Sequence, residues 1–165
     1  MLDILGPLWF FLPAGIANMM PIFANKLFGP GRPIHTVFGA HKTWQGIISA
    51  TLGGWAFFLL QRLFDVPFAI VDYASVSVFL GFGLAFFAIM GDLVESFMKR
   101  KIGIQPGKPW IPFDQLDYVV GGLLGSLLFV RLALVDYVVI LVACFLAVFV
   151  VSRVGYMTGL RKEKY

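Results

Sequence analysis

Residues 46–63 read GIISATLGGWAFFLLQRL. From Gly46 to Gln61 no side chain carries a charge. No period-two alternation runs through the stretch, so it reads as a helix rather than a strand. At about 1.5 Å per residue, such a helix approaches the roughly 30 Å of a bilayer's hydrocarbon core. Four more apolar runs flank it, at about 4–28, 69–98, 116–134 and 137–156. Together they carry the composition: 59% apolar and 13% charged residues in a chain of 165. Mean hydropathy is +0.87. Soluble domains hold about 25% charged residues, and a soluble fold of this length has too little interior for so much apolar surface. Low charge with high hydropathy also excludes disorder. The expectation is an all-α polytopic membrane protein with about five transmembrane helices; without strand alternation, a barrel is not expected.

The first run does not read as a signal peptide, because Met1-Leu2-Asp3 is acidic and no small-residue cleavage site follows. Pro7, Pro13 and Pro21 interrupt it, and the last two predict kinks or breaks. Backbone groups freed at such breaks must face protein or a wet cavity.

Charge sets the expected orientation. Lys26, Arg32 and Lys42 lie between the first two runs, and Lys99, Arg100, Lys101 and Lys108 between the third and fourth. Arg153, Arg161, Lys162 and Lys164 close the chain, leaving only Arg62 and Arg131 for the other side. The positive-inside rule places the N-terminus outside and the C-terminus in the cytosol of a multi-pass cell-membrane protein. The net charge of +4 is thus first a topology signal, and no nucleic-acid partner is expected. No repeat or low-complexity linker divides residues 1–165, which read as a single transmembrane domain. The lone Cys144 excludes an intrachain disulfide and reads as apolar filler. Gly53-Gly54, Gly121-Gly122, Gly81, Gly83 and Gly125 suit close helix packing and permit a homo-oligomer.

The carboxylates are unevenly spread. Asp3, Asp65, Asp72 and Asp136 fall at outer ends and Glu163 in the tail. Asp92, Glu95, Asp114 and Asp117 instead bracket the second inner loop. Asp92 and Glu95 are three apart and share a helical face, which Lys99 continues; Asp114 and Asp117 repeat the spacing. A loop with Gly103, Pro106, Gly107, Pro109 and Pro112 turns the chain between the pairs. The pairs can therefore converge near the inner surface, where carboxylates, phosphate and water suit Mg²⁺. The competing reading pairs Glu95 with Lys99 and makes Asp114 and Asp117 helix N-terminal charges. Four carboxylates, several cations and Ser96 around one loop favour a site.

The first inner loop ends in Gly39-Ala40-His41-Lys42-Thr43-Trp44-Gln45-Gly46. A helix N-terminus with Lys42 and the Thr43 hydroxyl makes a phosphate cradle without the glycine spacing of a Walker A loop. The alternative makes Lys42 a topology anchor and Trp44 an interfacial residue. His35 and His41 are too few for a His-based metal site. Asn18 and Asn25 lie on the interrupted first helix, where an amide bonds a helix break or a ligand.

The run Gly91-Asp92-Leu93-Val94-Glu95-Ser96-Phe97-Met98-Lys99-Arg100, followed by Asp114-Gln115-Leu116-Asp117, resembles the signature of the membrane CDP-diacylglycerol synthases, or phosphatidate cytidylyltransferases. Ser96, Lys99, Arg100, Asp114 and Asp117 match the pattern. The family's His-Gly-Gly element is replaced by Gly107-Lys108-Pro109-Trp110-Ile111-Pro112-Phe113, and its Arg by Gln115. With the short chain and Lys42-Thr43-Trp44, this is similar to the archaeal branch, the CDP-archaeol synthases, over nearly the whole sequence.

The resemblance implies a membrane cytidylyltransferase of phospholipid biosynthesis. It would convert CTP and 2,3-bis-O-geranylgeranylglycerol 1-phosphate into a CDP-activated ether lipid and pyrophosphate, with Mg²⁺. On that reading Asp92, Asp114 and Asp117 hold the metal. Lys42, Thr43, Lys99, Arg100 and Lys108 meet the CTP phosphates, and Glu95 orients Lys99. A CDP-alcohol phosphotransferase would instead need an Asp-Gly, Ala-Arg, Asp, Asp spacing that is absent. A small ion or solute carrier would need a polar path through the bundle, and the clustering of charge on one side argues against one.

Overall fold

The computed structural model describes residues 3–39, 41–105 and 108–157, with backbone alone at 149 and 151–157. Helices α1 (Leu5–Phe28), α2 (Trp44–Gln61), α3 (Phe79–Lys101), α4 (Phe113–Ser126) and α5 (Leu134–Met157) follow in order, with a 3₁₀ turn at Thr36–Phe38 before α2. Among the described residues there is no strand, only an isolated antiparallel bridge between Pro33 and Thr43. Helices α1 and α3, at 24 and 23 residues, are long and apolar enough to cross a membrane.

Much of the bundle's exterior is apolar. Ile22, Leu27 and Phe28 on α1 are 71%, 75% and 80% exposed. Inside, Phe10, Phe58, Leu80, Leu84, Val119 and Ile140 are fully buried in one cluster built from all five helices. Helix α1 packs against each of the other four.

Two expectations change and a third is narrowed. The first helix does not break: α1 runs as one helix through Pro13 and Pro21. Pro13 has no N–H to give the Trp9 carbonyl four residues back. Gln61, 1% exposed, donates its Nε2 to that oxygen at 2.6 Å, so a neighbouring helix satisfies the group. The third helix starts at Phe79 rather than near residue 69. Residues 62–78 instead fold over the end of the bundle away from the four clustered carboxylates. Asp72 Oδ1 accepts the Ala74 N–H at 3.0 Å, and the Arg62 guanidinium donates to the Ala74 and Val76 carbonyls at 2.9 and 2.5 Å. The fourth helix is Phe113–Ser126 rather than 116–134, and has 14 residues. That is about 21 Å, short of a full span. The chain turns at residues 127–129 before α5 begins.

Helices α3 and α4 approach along their backbones. A β-carbon at Gly125 would lie 2.4 Å from the Gly83 oxygen, and one at Gly121 2.2 Å from the Phe87 oxygen. One at Gly91 would lie 2.2 Å from the Asp117 oxygen. These positions step by four residues in opposite directions along the two helices. Only glycine permits the contact, and the contact lays Asp117 beside the turn of α3 that carries Asp92.

Candidate functional site

The loop from α1 to α2 is folded back on itself before it reaches the carboxylates. Ile34 N–H donates to the Lys42 carbonyl at 2.9 Å, and Trp44 N–H to the Arg32 carbonyl at 3.1 Å. The ring of Phe38 lies 6.1 Å from that of Phe97, which anchors the 3₁₀ turn on α3. Thr43 caps α2, its Oγ1 accepting the Gly46 N–H at 3.0 Å, as a Ser or Thr N-cap does. Lys42, one residue earlier, is thereby aimed at α3. Its Nζ bonds both oxygens of Asp92, at 2.6 and 2.5 Å.

Asp92, Glu95 and Asp117 each offer one oxygen, and the three lie within 4.8 Å of one another. Asp92 and Glu95 come from one face of α3, and Asp117 arrives from α4 through the glycine contact. Carboxylates this close repel, so the set favours a proton or a cation among them. Lys99 partly supplies one. It is 7% exposed, 3.4 Å from Glu95 Oε1 and 2.8 Å from Asp114 Oδ1. Asp114 also accepts the Trp110 N–H through Oδ2 at 2.8 Å. Asp114 is thus a buttress between α3, α4 and the preceding loop. Glu95 Oε1, though within ion-pair range of Lys99, is buried without a hydrogen bond. An orphaned carboxylate oxygen beside two more, all hard donors, fits a small divalent cation.

These residues line a cavity of about 250 Å³ together with Phe38, Gly39, His41, Ser96 and Arg100. The Arg100 side chain donates to the Ile104 carbonyl and lies beside Gly39, whose φ of 95° suits glycine. A second cavity, about 190 Å³, shares His41, Lys42 and Asp92 and runs toward Asn18, Pro21 and Thr43. The two meet at the Lys42–Asp92 pair.

Of the residues singled out from sequence, Lys42, Asp92, Glu95, Ser96, Lys99, Arg100, Asp114 and Asp117 converge on the first cavity. Asn18 and Thr43 line the second. Asn25 is exposed on α1 and lines neither cavity. Lys108 is exposed on the α3–α4 loop, its backbone N–H on the Gln105 carbonyl, and lines neither. Ala40, Pro106 and Gly107 lie outside the described residues, as do the tail's Arg161, Lys162, Glu163 and Lys164 and the side chain of Arg153. The sequence paired Glu95 with Lys99, and the two lie 3.4 Å apart; it set Asp114 among the metal ligands, whereas the geometry adds Glu95 to Asp92 and Asp117 and turns Asp114 to Lys99. The i, i+3 spacing of Glu95 to Asp92 was the available signal. His41 and Phe38 carried none.

A polar, carboxylate-lined cavity at one end of an apolar helical bundle is the arrangement of a membrane protein that acts on a charged ligand. The fold matches the solved structure of an intramembrane enzyme for archaeal membrane lipids biosynthesis, with a TM-score of 0.70 and 28% identity over 90% of this chain and 94% of that one. The model of the CarS-like CDP-archaeol synthase family matches residues 1–165. The CDP-archaeol synthase of Thermococcus onnurineus is 38% identical over 73% of each chain. That of Methanocaldococcus jannaschii is 34% identical over 87% of this chain and 85% of its own. That of Methanospirillum hungatei is 32% identical over 92% and 96%. The chain belongs to the CDP-archaeol synthase family.

Proposed function

We propose that this protein is the CTP-dependent cytidylyltransferase of archaeal lipid biosynthesis and makes CDP-archaeol at the cavity between the α1–α2 loop, α3 and α4. A phosphate oxygen of the lipid forms a bond to the α-phosphorus of CTP, the bond between the α- and β-phosphates breaks, and pyrophosphate leaves. Such a transfer needs alignment and charge neutralisation more than covalent catalysis. The observation that carries this reading is the convergence of three carboxylates from two helices on one point, beside Lys42 and Arg100.

Asp92, Glu95 and Asp117 are the residues that would hold Mg²⁺, in place of the set that includes Asp114. The ion would supply charge neutralisation on the phosphates and on departing pyrophosphate. Lys42 and Arg100 lie where nucleotide phosphates enter. Lys99 holds Glu95 and Asp114 in register rather than facing the nucleotide. Thr43 contributes by fixing the start of α2 and hence the reach of Lys42. The lipid's chains stay in the bilayer and its phosphate enters between helices. We place this site on the cytosolic face of the cell membrane, with the whole chain as one domain; the flanking cations and the supply of CTP support that reading.

The test is pyrophosphate release by the purified protein with CTP, Mg²⁺ and lipid phosphate, ether and ester forms side by side. Turnover with the ether lipid supports the reading. Release of CMP on addition of an alcohol acceptor, with no pyrophosphate, would replace it with a phosphotransferase.

A further inference from the structure

Lys42 and Lys99 both pair with carboxylates of the site, but on different terms. Lys99 is clamped between Glu95 and Asp114, with 9% of its side chain exposed. Lys42 has one carboxylate partner, Asp92, and 25% of its side chain is exposed. Its backbone is held by the Ile34 N–H and by the capped start of α2. The side chain alone is free to change partner, and it borders both cavities.

Both Asp92 oxygens are engaged by the Lys42 ammonium. A divalent cation bonding Asp92, Glu95 and Asp117 needs an oxygen of Asp92 at about 2.1 Å. An ammonium about 2.5 Å from both oxygens stands in that space and repels the incoming charge. The cation and the Lys42 ammonium therefore compete for Asp92. A lysine ammonium displaced into a partly buried cavity is costly unless another anion receives it. The phosphates of a nucleotide are such an anion.

We propose that the Lys42–Asp92 ion pair is an interlock that couples cation binding to nucleotide binding. In the free protein, Lys42 and Asp92 each satisfy the group that the other ligand needs. Binding of either ligand releases one member of the pair and prepares the site for the second. Linkage makes the coupling reciprocal: the cation strengthens nucleotide binding by the factor by which the nucleotide strengthens cation binding. The proposal rests on the assignment of Asp92, Glu95 and Asp117 as the cation site.

It makes an expectation opposite to that of simple ligand loss, because removing one member of the pair should improve binding of the other's ligand. The purified full-length protein in detergent is titrated with Mn²⁺ alone, read by the electron paramagnetic resonance of the free ion. Lys42→Met should bind Mn²⁺ at least about 5-fold more tightly than the unaltered protein, within the usual range of coupling. Lys101→Met removes a cation at the end of α3, outside the cluster, and should leave Mn²⁺ binding within about twofold. Separately, CTP binding is measured by calorimetry in EDTA. Asp92→Asn, which frees Lys42, should bind metal-free CTP at least about 5-fold more tightly. Lys42→Gln repeats the first arm should Lys42→Met not fold. Failure of either affinity gain overturns the interlock. If Mn²⁺ binds the unaltered protein and the Lys42 variants equally, the interlock falls and the cation site stands. If none of them binds Mn²⁺, the cation assignment falls and takes the interlock with it.

Discussion

Gly91 lies against the backbone of Asp117 so closely that a β-carbon at position 91 would stand 2.2 Å from the Asp117 oxygen. The residue beside Gly91 in sequence is Asp92, so one backbone contact brings two carboxylates of the site together from different helices. Gly91→Ala should push α4 from α3 and separate Asp117 from Asp92. Overpacking of this kind costs about 1–3 kcal/mol. Thermal unfolding in detergent should fall accordingly, and pyrophosphate release should drop at least about 10-fold, a loss of near 1.4 kcal/mol in the barrier. Activity unchanged by Gly91→Ala would show that the carboxylates need not be held so close.

Asp114 and Asp117 are three residues apart on one helix yet have different partners. Asp114 is bound by Lys99 and the Trp110 N–H, whereas Asp117 joins Asp92 and Glu95. Asp117→Asn should therefore raise the Mg²⁺ concentration needed for half-maximal rate by about 10–100-fold, as loss of groups at a metal site does. Asp114→Asn should lower the rate and stability while leaving that concentration nearly unchanged. Initial rates across a Mg²⁺ series separate the two.

Lys99 is the buried counter-charge for Glu95 and Asp114. Lys99→Met strands the buried Glu95 and leaves Asp114 with only the Trp110 N–H; breaking a buried pair costs up to about 3–5 kcal/mol. Adding Glu95→Gln to Lys99→Met should restore part of the lost thermal stability, because it removes one uncompensated charge. The double variant should remain inactive. A double variant less stable than Lys99→Met alone would contradict the pairing.

Gln61 supplies the hydrogen bond that Pro13 denies to the Trp9 carbonyl. Gln61→Leu should cost about 1–3 kcal/mol, the penalty of an unsatisfied buried polar group. Pro13→Ala in the same chain should recover much of it, since residue 13 then has its own N–H for Trp9. Unfolding temperatures of the two single variants and the double form the test. Additive losses would mean that the two positions act independently.

The proposed orientation places residues 62–78 outside and the loop after α3 in the cytosol. In a chain carrying Cys144→Ala, Ala74→Cys should react with a membrane-impermeant thiol reagent in intact cells. Lys101→Cys should react only after the cells are opened. The reverse pattern would invert the topology and move the site away from cytosolic CTP.

The sequence by itself determined the solvent and the sidedness of charge. Runs of about 20 apolar residues with 13% charge leave no soluble fold, and cations concentrated around two loops mark one end of the bundle. Residue spacing also put Asp92, Glu95 and Lys99 on one helical face, a local property of an α-helix. The motif around Asp92 and Asp117 carried the family. Tertiary structure decided what spacing along one chain does not encode. Whether Asp114 or Asp117 joins Asp92 depends on the axial offset between α3 and α4, and the Gly91, Gly121 and Gly125 contacts set it. The donor that meets the Trp9 carbonyl at Pro13 is Gln61, 52 residues from Trp9. The short α4 follows from the turn at 127–129, because hydropathy alone does not distinguish an apolar helix from the apolar turn that ends it. The pairing of Lys42 with Asp92 likewise spans 50 residues. Local periodicity names the helices and their faces; the distances between faces come from backbone contacts that only the packed bundle makes.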